Sequence, residues 1–185
     1  MSTPDTAPYF LQSERLGLRC WQPGDLSLAV RLWTDPVVTR FIAATPPTAD
    51  EARARLQREI ETQAQHGFQY WPLFVRDGGD FAGCCGLRPR PDEPDAPEFG
   101  VHLLPTYWRR GYASEASSMV FGHAFGTLAC RALFAGHNPR NKASRAMLLR
   151  LGFVHTHDEF YPPTGLMHPS YRLAAPSGGV ESKPS

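Results

Sequence analysis

No stretch of this chain approaches the ~20 apolar residues that a bilayer-spanning helix requires. Its opening, Met1-Ser2-Thr3-Pro4-Asp5, carries neither the charged nor the apolar block of a secretory leader. Both absences predict a cytoplasmic protein with no membrane partner. Charge of one sign is also lacking: 19 basic residues stand against 18 acidic ones, a formal net charge of +1. Without a broad basic field, nucleic acid is not expected as a principal ligand. Cysteine is scarce, with four residues at Cys20, Cys84, Cys85 and Cys130, no C-x-x-C pairing and too low a density for a disulfide scaffold. Free thiols are expected. Cys84 and Cys85 are adjacent in a strand-like run, so they point to opposite faces as small buried residues rather than as covalent nucleophiles. His155 and His157 share one face of a predicted strand but have no third ligand nearby in sequence, so no metal is expected. No internal repeat is apparent.

What is present suffices for one well-buried domain. The chain has 185 residues, of which 42% are hydrophobic and 20% charged. The domain is expected over residues 9–175, with residues 1–8 and 176–185 as polar, disordered tails. The organising stretch is Glu98 to Ala116. Phe99, Val101 and Leu103 alternate with Glu98, Gly100 and His102 as in a strand, and Pro105, which has no N–H, ends the ladder. A helix follows Gly111, with Ala113, Ala116, Val120 and Ala124 giving it a narrow face of small side chains that can lie close to a sheet. The first N–H groups of a helix lack partners and carry about half a positive charge, so an anion suits that end. Gly111 allows close backbone approach, Ala113 keeps the next turn small, Arg109 and Arg110 add cations, and Ser114 offers a hydroxyl. The same residues also suit an ordinary surface turn with two solvated arginines and a serine cap.

Around this centre the elements read in order. Leu16, Leu18 and Cys20 alternate as a first strand, and Asp25 suits the N-cap of a helix over Leu26 to Trp33. Asp35-Pro36 should end that helix, leaving Val37 to Pro47 as a loop. Thr48 and Glu51 form a capping box for a long helix that closes at His66-Gly67. A strand from Tyr70 meets Phe81 to Leu87 through Asp77-Gly78-Gly79 as a hairpin. Residues 88–97, with their run of prolines and acids, predict a stiff exposed loop. Ala132 to His137 reads as a strand. Asn138-Pro139-Arg140-Asn141 opens a helix with Pro139 in its first turn and Gly152 as its C-terminal glycine. Phe153 to Phe160 and Tyr171 to Ala174 read as the last strands. The order implies a mixed α/β (α+β) domain: one mostly antiparallel sheet of about seven strands with helices on both faces.

Trp108-Arg109-Arg110-Gly111-Tyr112-Ala113, with its Tyr-Trp approach and the Ser-Glu-Ala that follows, resembles the pyrophosphate loop of the GNAT superfamily of N-acetyltransferases. That loop reads Gln/Arg-x-x-Gly-x-Gly/Ala. Trp108 departs from its first position in a way similar to the branch typified by ribosomal-protein N-terminal acetyltransferases. Asn138 to Ser144, continuing to Leu151-Gly152-Phe153, resembles a second block of that branch, and the likeness extends over about residues 11–174.

The resemblance implies an N-acetyltransferase that uses acetyl-CoA and an amine acceptor, works as a monomer or homodimer, and needs no metal. Backbone groups from Arg109, Arg110, Gly111, Tyr112, Ala113 and Ser114 would hold the pyrophosphate. Val101 and Leu103 would pair with the pantetheine arm through their backbone while their side chains pack in the core, with Asn138 and Asn141 nearby. Asn141 equally suits a helix N-cap. Ser144 would protonate the departing thiol, its alternative being a helix-surface serine bonded back to the chain. His102, where many relatives carry Glu, is the first candidate base, with Glu98 on the same strand face in reserve. The competing reading is a CoA-binding sensor without turnover. A third is a phosphate site for an unrelated nucleotide.

Overall fold

The computed structural model describes residues 9–176, and the expected tails fall outside them apart from Pro176. The strands and helices run β1 (Leu11–Gln12), β2 (Leu16–Leu18), α1 (Leu26–Trp33), α2 (Pro36–Thr39), α3 (Ala49–His66), β3 (Tyr70–Val75), β4 (Phe81–Arg88), β5 (Glu98–Leu103), α4 (Tyr112–Gly126), β6 (Ala132–Gly136), α5 (Lys142–Arg150), β7 (Val154–Tyr161) and β8 (Leu166–Ala174). The strands form one sheet in the order β1-β2-β3-β4-β5-β6-β8-β7. Every pairing is antiparallel except β5 with β6. The mixed, mostly antiparallel architecture therefore stands, with eight strands where about seven were expected. The added strand is β1, whose two residues pair with Leu18 and Gly17.

Local signals account for most boundaries. The Thr48 hydroxyl accepts the Glu51 N–H while the Glu51 carboxylate accepts the Thr48 N–H, and Gly67 ends α3 at φ 76°. Gly152, at φ 89°, follows α5 in the same left-handed conformation. Four expectations need correction. Asp25 does not cap α1; its carboxylate takes two hydrogen bonds from Arg19, at 2.7 and 2.8 Å, and one from the Gln22 N–H at 2.7 Å. Pro36 opens a helix as well as following one: α2 starts there, with the Asp35 carboxylate accepting the N–H groups of Val37 and Val38. Helix α5 starts at Lys142, and Asn138 to Asn141 is a turn in which the Asn138 side chain accepts the Arg140 N–H at 3.0 Å.

The last strand begins at Leu166, so Pro169 lies inside it. Gly136, the final residue of β6, pairs with Ser170, so on that side Pro169 has passed the end of β6. Only the His137 N–H reaches its carbonyl there, at 3.3 Å, and no N–H is asked of the proline.

The sheet has a core on each face. On one, Trp71, Leu73, Cys85, Leu87 and Phe99 pack with α4 residues Ala116, Val120 and Ala124 and with Leu148 of α5. On the other, Tyr70, Phe74 and Cys84 pack with Leu32 and Trp33 of α1 and Leu56 of α3. Cys84 and Cys85 thus divide between the faces and are free thiols, as the alternation predicts.

Strands β5 and β6 meet at one register pair, Glu98 with Phe134, and then part. Beneath that junction Phe99 meets Phe121 of α4 edge-on at 4.9 Å and stacks on Phe153 at 5.9 Å. Removing this ring leaves a cavity under the fork, so Phe99→Ala should destabilise the fold by about 3–5 kcal/mol in urea unfolding. A loss below about 1 kcal/mol would show that the junction does not depend on the ring.

Candidate active site

The parting of β5 and β6 opens a cleft of about 550 Å³. Phe99 to Leu103 line one wall, Ala135 to Asn138 with Asn141, Ser144 and Met147 of α5 the other, and the turn before α4 closes one end. Val37, Val38, Phe41 and Ile42, from α2 and the segment after it, border the opposite side.

The wall formed by β5 has a defined polarity. The Leu104 N–H bonds to the Ala82 carbonyl at 2.9 Å. Such bonds alternate along an antiparallel ladder, so even-numbered residues of β5 bond to β4 and odd-numbered residues turn their backbone groups towards β6. The Phe134 N–H bond to the Pro97 carbonyl, at 3.0 Å, fits this alternation. With β6 gone beyond Phe134, the backbone of Val101 and the Leu103 N–H face the cleft. The Leu103 carbonyl accepts the Trp108 indole N–H at 2.8 Å. Val101 and Leu103 still pack against the core through their side chains.

The turn before α4 is shaped for an anion. Arg109 and Gly111 both adopt left-handed backbone conformations, φ 59° and 78°, and Tyr112 opens the helix. Left-handed residues in such a turn direct backbone N–H groups inward, where they add to the helix dipole. Arg109, Arg110 and Gly111 are exposed, while Tyr112 is buried with Ala113 and Ser114 beside it. Arg109, Gly111, Tyr112, Ala113 and Ser114 all line the cleft.

Sequence reasoning missed Arg15. Its guanidinium donates to the Arg110 carbonyl at 3.1 Å and to Glu115 at 2.7 Å, and it lies 4.9 Å over the Tyr112 ring. Ser13 donates to the same carboxylate at 2.6 Å. Only tertiary structure brings these residues together, since about a hundred positions separate them in the chain.

Across the cleft, the Asn141 side chain accepts the Ser144 N–H at 3.1 Å and caps α5. Ser144 sits in the first turn of α5, and its hydroxyl makes no hydrogen bond back to the chain among the described residues. Asn138 is buried, its carbonyl paired with Nδ1 of His137, whose Nε2 meets the Tyr171 hydroxyl at 3.2 Å.

Glu98, Gly100 and His102 share the opposite face of β5. Tyr70, also missed from sequence, joins them there: its phenol oxygen lies 3.5 Å from the Glu98 carboxylate, and its ring meets the His102 ring edge-on at 5.7 Å. Nδ1 of His102 lies 3.8 Å from the Cys84 sulfur. Burial, followed by the Arg55 and Arg88 guanidiniums, holds the His102 imidazole well below the usual histidine range. It is therefore neutral at pH 7 and a weak base. Burial also pushes the Cys84 thiol up to about 12, so Cys84 stays protonated and no thiolate nucleophile forms beside His102. No group of three metal-ligating side chains occurs among the described residues.

The sequence pattern of the acetyltransferase (GNAT) domain matches residues 15–154. The chain belongs to the GNAT acetyltransferase family. It is 28% identical over 144 residues to the uncharacterised N-acetyltransferase p20 of Bacillus licheniformis, covering 77% of this chain and 81% of that one. An acetyltransferase of Agrobacterium tumefaciens superposes with a TM-score of 0.76 at 22% identity, covering 94% and 98% of the two chains. A Salmonella typhimurium acetyltransferase described as modifying the N-terminal serine of ribosomal protein L7/L12 superposes at 0.72 with 16% identity, covering 88% and 96%. These two superpositions speak to the fold, whereas the domain match makes the chain an acyltransferase of the GNAT family.

Burial lowers the proton affinity of four histidines in this GNAT domain: His102, His123, His137 and His168. Below about pH 6.5 the unfolded chain therefore takes up protons that the native state resists, and stability must fall as pH drops. Urea midpoints should decrease from about pH 7.5 to 5.5, less steeply in His102→Gln. A flat dependence over that range would contradict the neutral state of these rings.

Proposed function

We propose that this protein transfers the acetyl group of acetyl-CoA to a primary amine, either a protein N-terminus or a small-molecule amine, by direct attack within a ternary complex. The observation that carries this reading is one continuous cleft with three parts in sequence. An anion-shaped turn lies at one end, outward-facing β5 backbone in the middle, and a carboxylate and a neutral imidazole on the far face.

Acetyl-CoA enters as substrate. Backbone groups from Arg109 to Ser114 would take its pyrophosphate, with the Arg109 and Arg110 guanidiniums beside them. The unpaired backbone of Val101 and Leu103 would add the peptide-like arm as a further strand, next to Asn138 and Asn141. The Leu103 N–H is then the donor placed to polarise the thioester carbonyl. Ser144, its hydroxyl unengaged, would protonate the leaving sulfur; with a thiol pKa near ~8.5 that help is needed only late.

The amine must arrive neutral. An α-amine with a pKa near ~8 is about 10% neutral at pH 7, and a lysine-like amine near ~10.4 far less. His102 is neutral there too but too weakly basic to titrate near its ordinary value, which shifts attention to Glu98 on the same face. The Salmonella neighbour's described substrate supports including N-terminal peptides in an acceptor panel, beside polyamines, aminoglycosides and amino acids. Thiol release from acetyl-CoA that depends on one of these amines would establish the reading. Binding of CoA without such release would favour a sensor, and equal competition by ATP or NAD would point to an unrelated nucleotide.

Gly111→Glu should abolish thermal stabilisation by CoA, because bulk and negative charge then occupy the anion turn. An unchanged shift would move the phosphate site elsewhere. Ser144→Ala should leave CoA affinity within a few-fold and lower turnover near the low end of the 10²–10⁴-fold range for general acid help. Full activity in that variant would return Ser144 to a structural role. With two acceptors of different basicity, His102→Gln should keep the wild-type pH profile above about pH 6.5. Loss of a limb near that value would show the imidazole titrating as the base.

A further inference from the structure

Gly100 lies between Glu98 and His102 on one face of β5, and a Cβ at Gly100 would run into the oxygen and ring of the Tyr70 phenol. The ring of a β3 residue thus crosses β4 and lies over β5, filling the space that a side chain at position 100 would take. Tyr70, 2% exposed, borders the cleft, and its hydroxyl lies 3.5 Å from the Glu98 carboxylate, beside the strand position before Val101. The surroundings keep that hydroxyl a neutral phenol. Burial is the main cause, with the Glu98 carboxylate acting in the same direction. The other charged groups facing it are Arg55 and Glu59 from α3 and Arg88 from β4, and Tyr161 of β7 completes this electrostatic neighbourhood. The Tyr70 ring is wedged between Arg88, 4.9 Å from its centre, and the His102 edge. The position of its oxygen is therefore set by packing on several sides.

A phenol hydroxyl has one proton to give and lone pairs to receive another. Here its acidic partner is Glu98, and the residue that carries it borders the cleft. Resting on the acetyltransferase reading above, we propose that Tyr70 holds the acceptor amine and relays its proton to Glu98. A carboxylate is too weak a base to strip a free ammonium ion in quantity, so the relay acts on an amine that arrives neutral. As the C–N bond forms, the nitrogen becomes positively charged and its N–H acidic. The N–H bond then breaks, its proton passes to the Tyr70 oxygen, and the original Tyr70 O–H proton passes to Glu98. Tyr70 ends as it began, Glu98 ends protonated, and that proton leaves to water. No phenolate forms, which suits a phenol whose ionisation is strongly opposed. His102 serves as packing for the Tyr70 ring rather than as the base.

The test compares Tyr70→Phe, Glu98→Gln, the double variant and His102→Gln. Each is assayed with acetyl-CoA and the fastest amine of the acceptor panel, then again with water as the sole acceptor. Tyr70→Phe removes one oxygen and keeps the ring, and undiminished stabilisation by CoA checks that the fold and cofactor side persist. We expect Tyr70→Phe and Glu98→Gln each to lower kcat by about 10²-fold, with the KM for acetyl-CoA within about two-fold and the double variant no slower than the worse single one. Tyr70→Phe should also raise the KM for the amine about five-fold, because the hydroxyl that holds it is gone, while Glu98→Gln leaves that KM within about two-fold. A merely structural Tyr70 would leave the KM values for amine and acetyl-CoA in their wild-type ratio. The relay is overturned if Tyr70→Phe stays within about three-fold of the wild type, if the two losses multiply, or if His102→Gln alone reproduces the loss. Wild-type thiol release and CoA stabilisation bear on the acetyltransferase reading, and the ratios among variants bear on the relay, so the two fail separately.

Discussion

The parting of β5 from β6 after the Glu98–Phe134 pair is the constraint on which the rest of the site depends. A parallel pair that continued would consume the outward N–H and carbonyl groups of Val101 and Leu103 in its ladder, leaving no cleft and no free backbone for a ligand. The fork remains open because each strand is held from its far side. The full length of β5 is paired with β4, and all of β6 is paired with β8. Aromatic rings fill the space below, so the sheet does not close over a void. Exposed polar backbone is ordinarily a liability at a strand edge. In this fold it is confined to a few residues inside a cleft, where another chain's strand edge has little access.

The face of the sheet opposite α4 is unusually polar for a core. Arg55 and Glu59 project from α3 towards Tyr70, 3.7 Å apart, and the Glu59 carboxylate accepts the Tyr70 N–H at 2.9 Å. The Arg55 guanidinium lies 4.3 Å over the Trp33 ring, although its Nε and one terminal nitrogen are buried without a hydrogen-bond partner among the described residues. Burying charges this way costs several kcal/mol per ion unless they are paired, so a purely structural core would favour apolar residues here. What the arrangement does achieve is electrostatic. Two guanidiniums beside His102 disfavour its protonation, while the same cations balance Glu59 and Glu98. The surroundings that act on His102 come from α3 and β4, and a linear sequence does not display them.

Legibility followed range. Elements specified by neighbours a few residues away were readable: the Thr48–Glu51 box, the glycine after α3, the alternation of β5 and the small-residue face of α4. The errors arose where one residue type satisfies two local grammars. Asp25 looked like a helix cap until Arg19 engaged it; Pro36, read as the end of one helix, also begins another, and Pro139, read as a first-turn proline, lies in the turn before α5. The last strand, expected from Tyr171, starts five residues earlier at Leu166, because its pairing with β7 is long-range and leaves no local mark. The residues of β5, the turn before α4 and α5 that line the cleft stood out because local pattern and family resemblance coincide there. Arg15 and Tyr70 did not, because their importance lies in what they touch: Glu115, 100 positions from Arg15, and Glu98, 28 positions from Tyr70. No periodicity or spacing carries such information.

Trp108 illustrates how a departure from a sequence pattern can preserve the physics beneath it. An anion turn recognises its ligand through backbone N–H groups, so what matters is that the backbone be held in the receptive shape before the ligand arrives. Holding a non-glycine residue such as Arg109 in the left-handed region costs about 1–2 kcal/mol, and the unliganded chain would relax unless other contacts opposed it. Two contacts do so from opposite ends. The Trp108 indole N–H ties the start of the turn to the Leu103 carbonyl, and Arg15, steadied by Glu115, ties its middle through the Arg110 carbonyl. Net hydrogen bonds of about 1 kcal/mol each, somewhat more where the donor is charged, are enough to offset that strain. The indole thus acts on the turn's shape rather than on the ligand. Its bond to Leu103 also ties the turn directly to the strand that presents the free backbone, so one hydrogen bond links the two parts of the cleft.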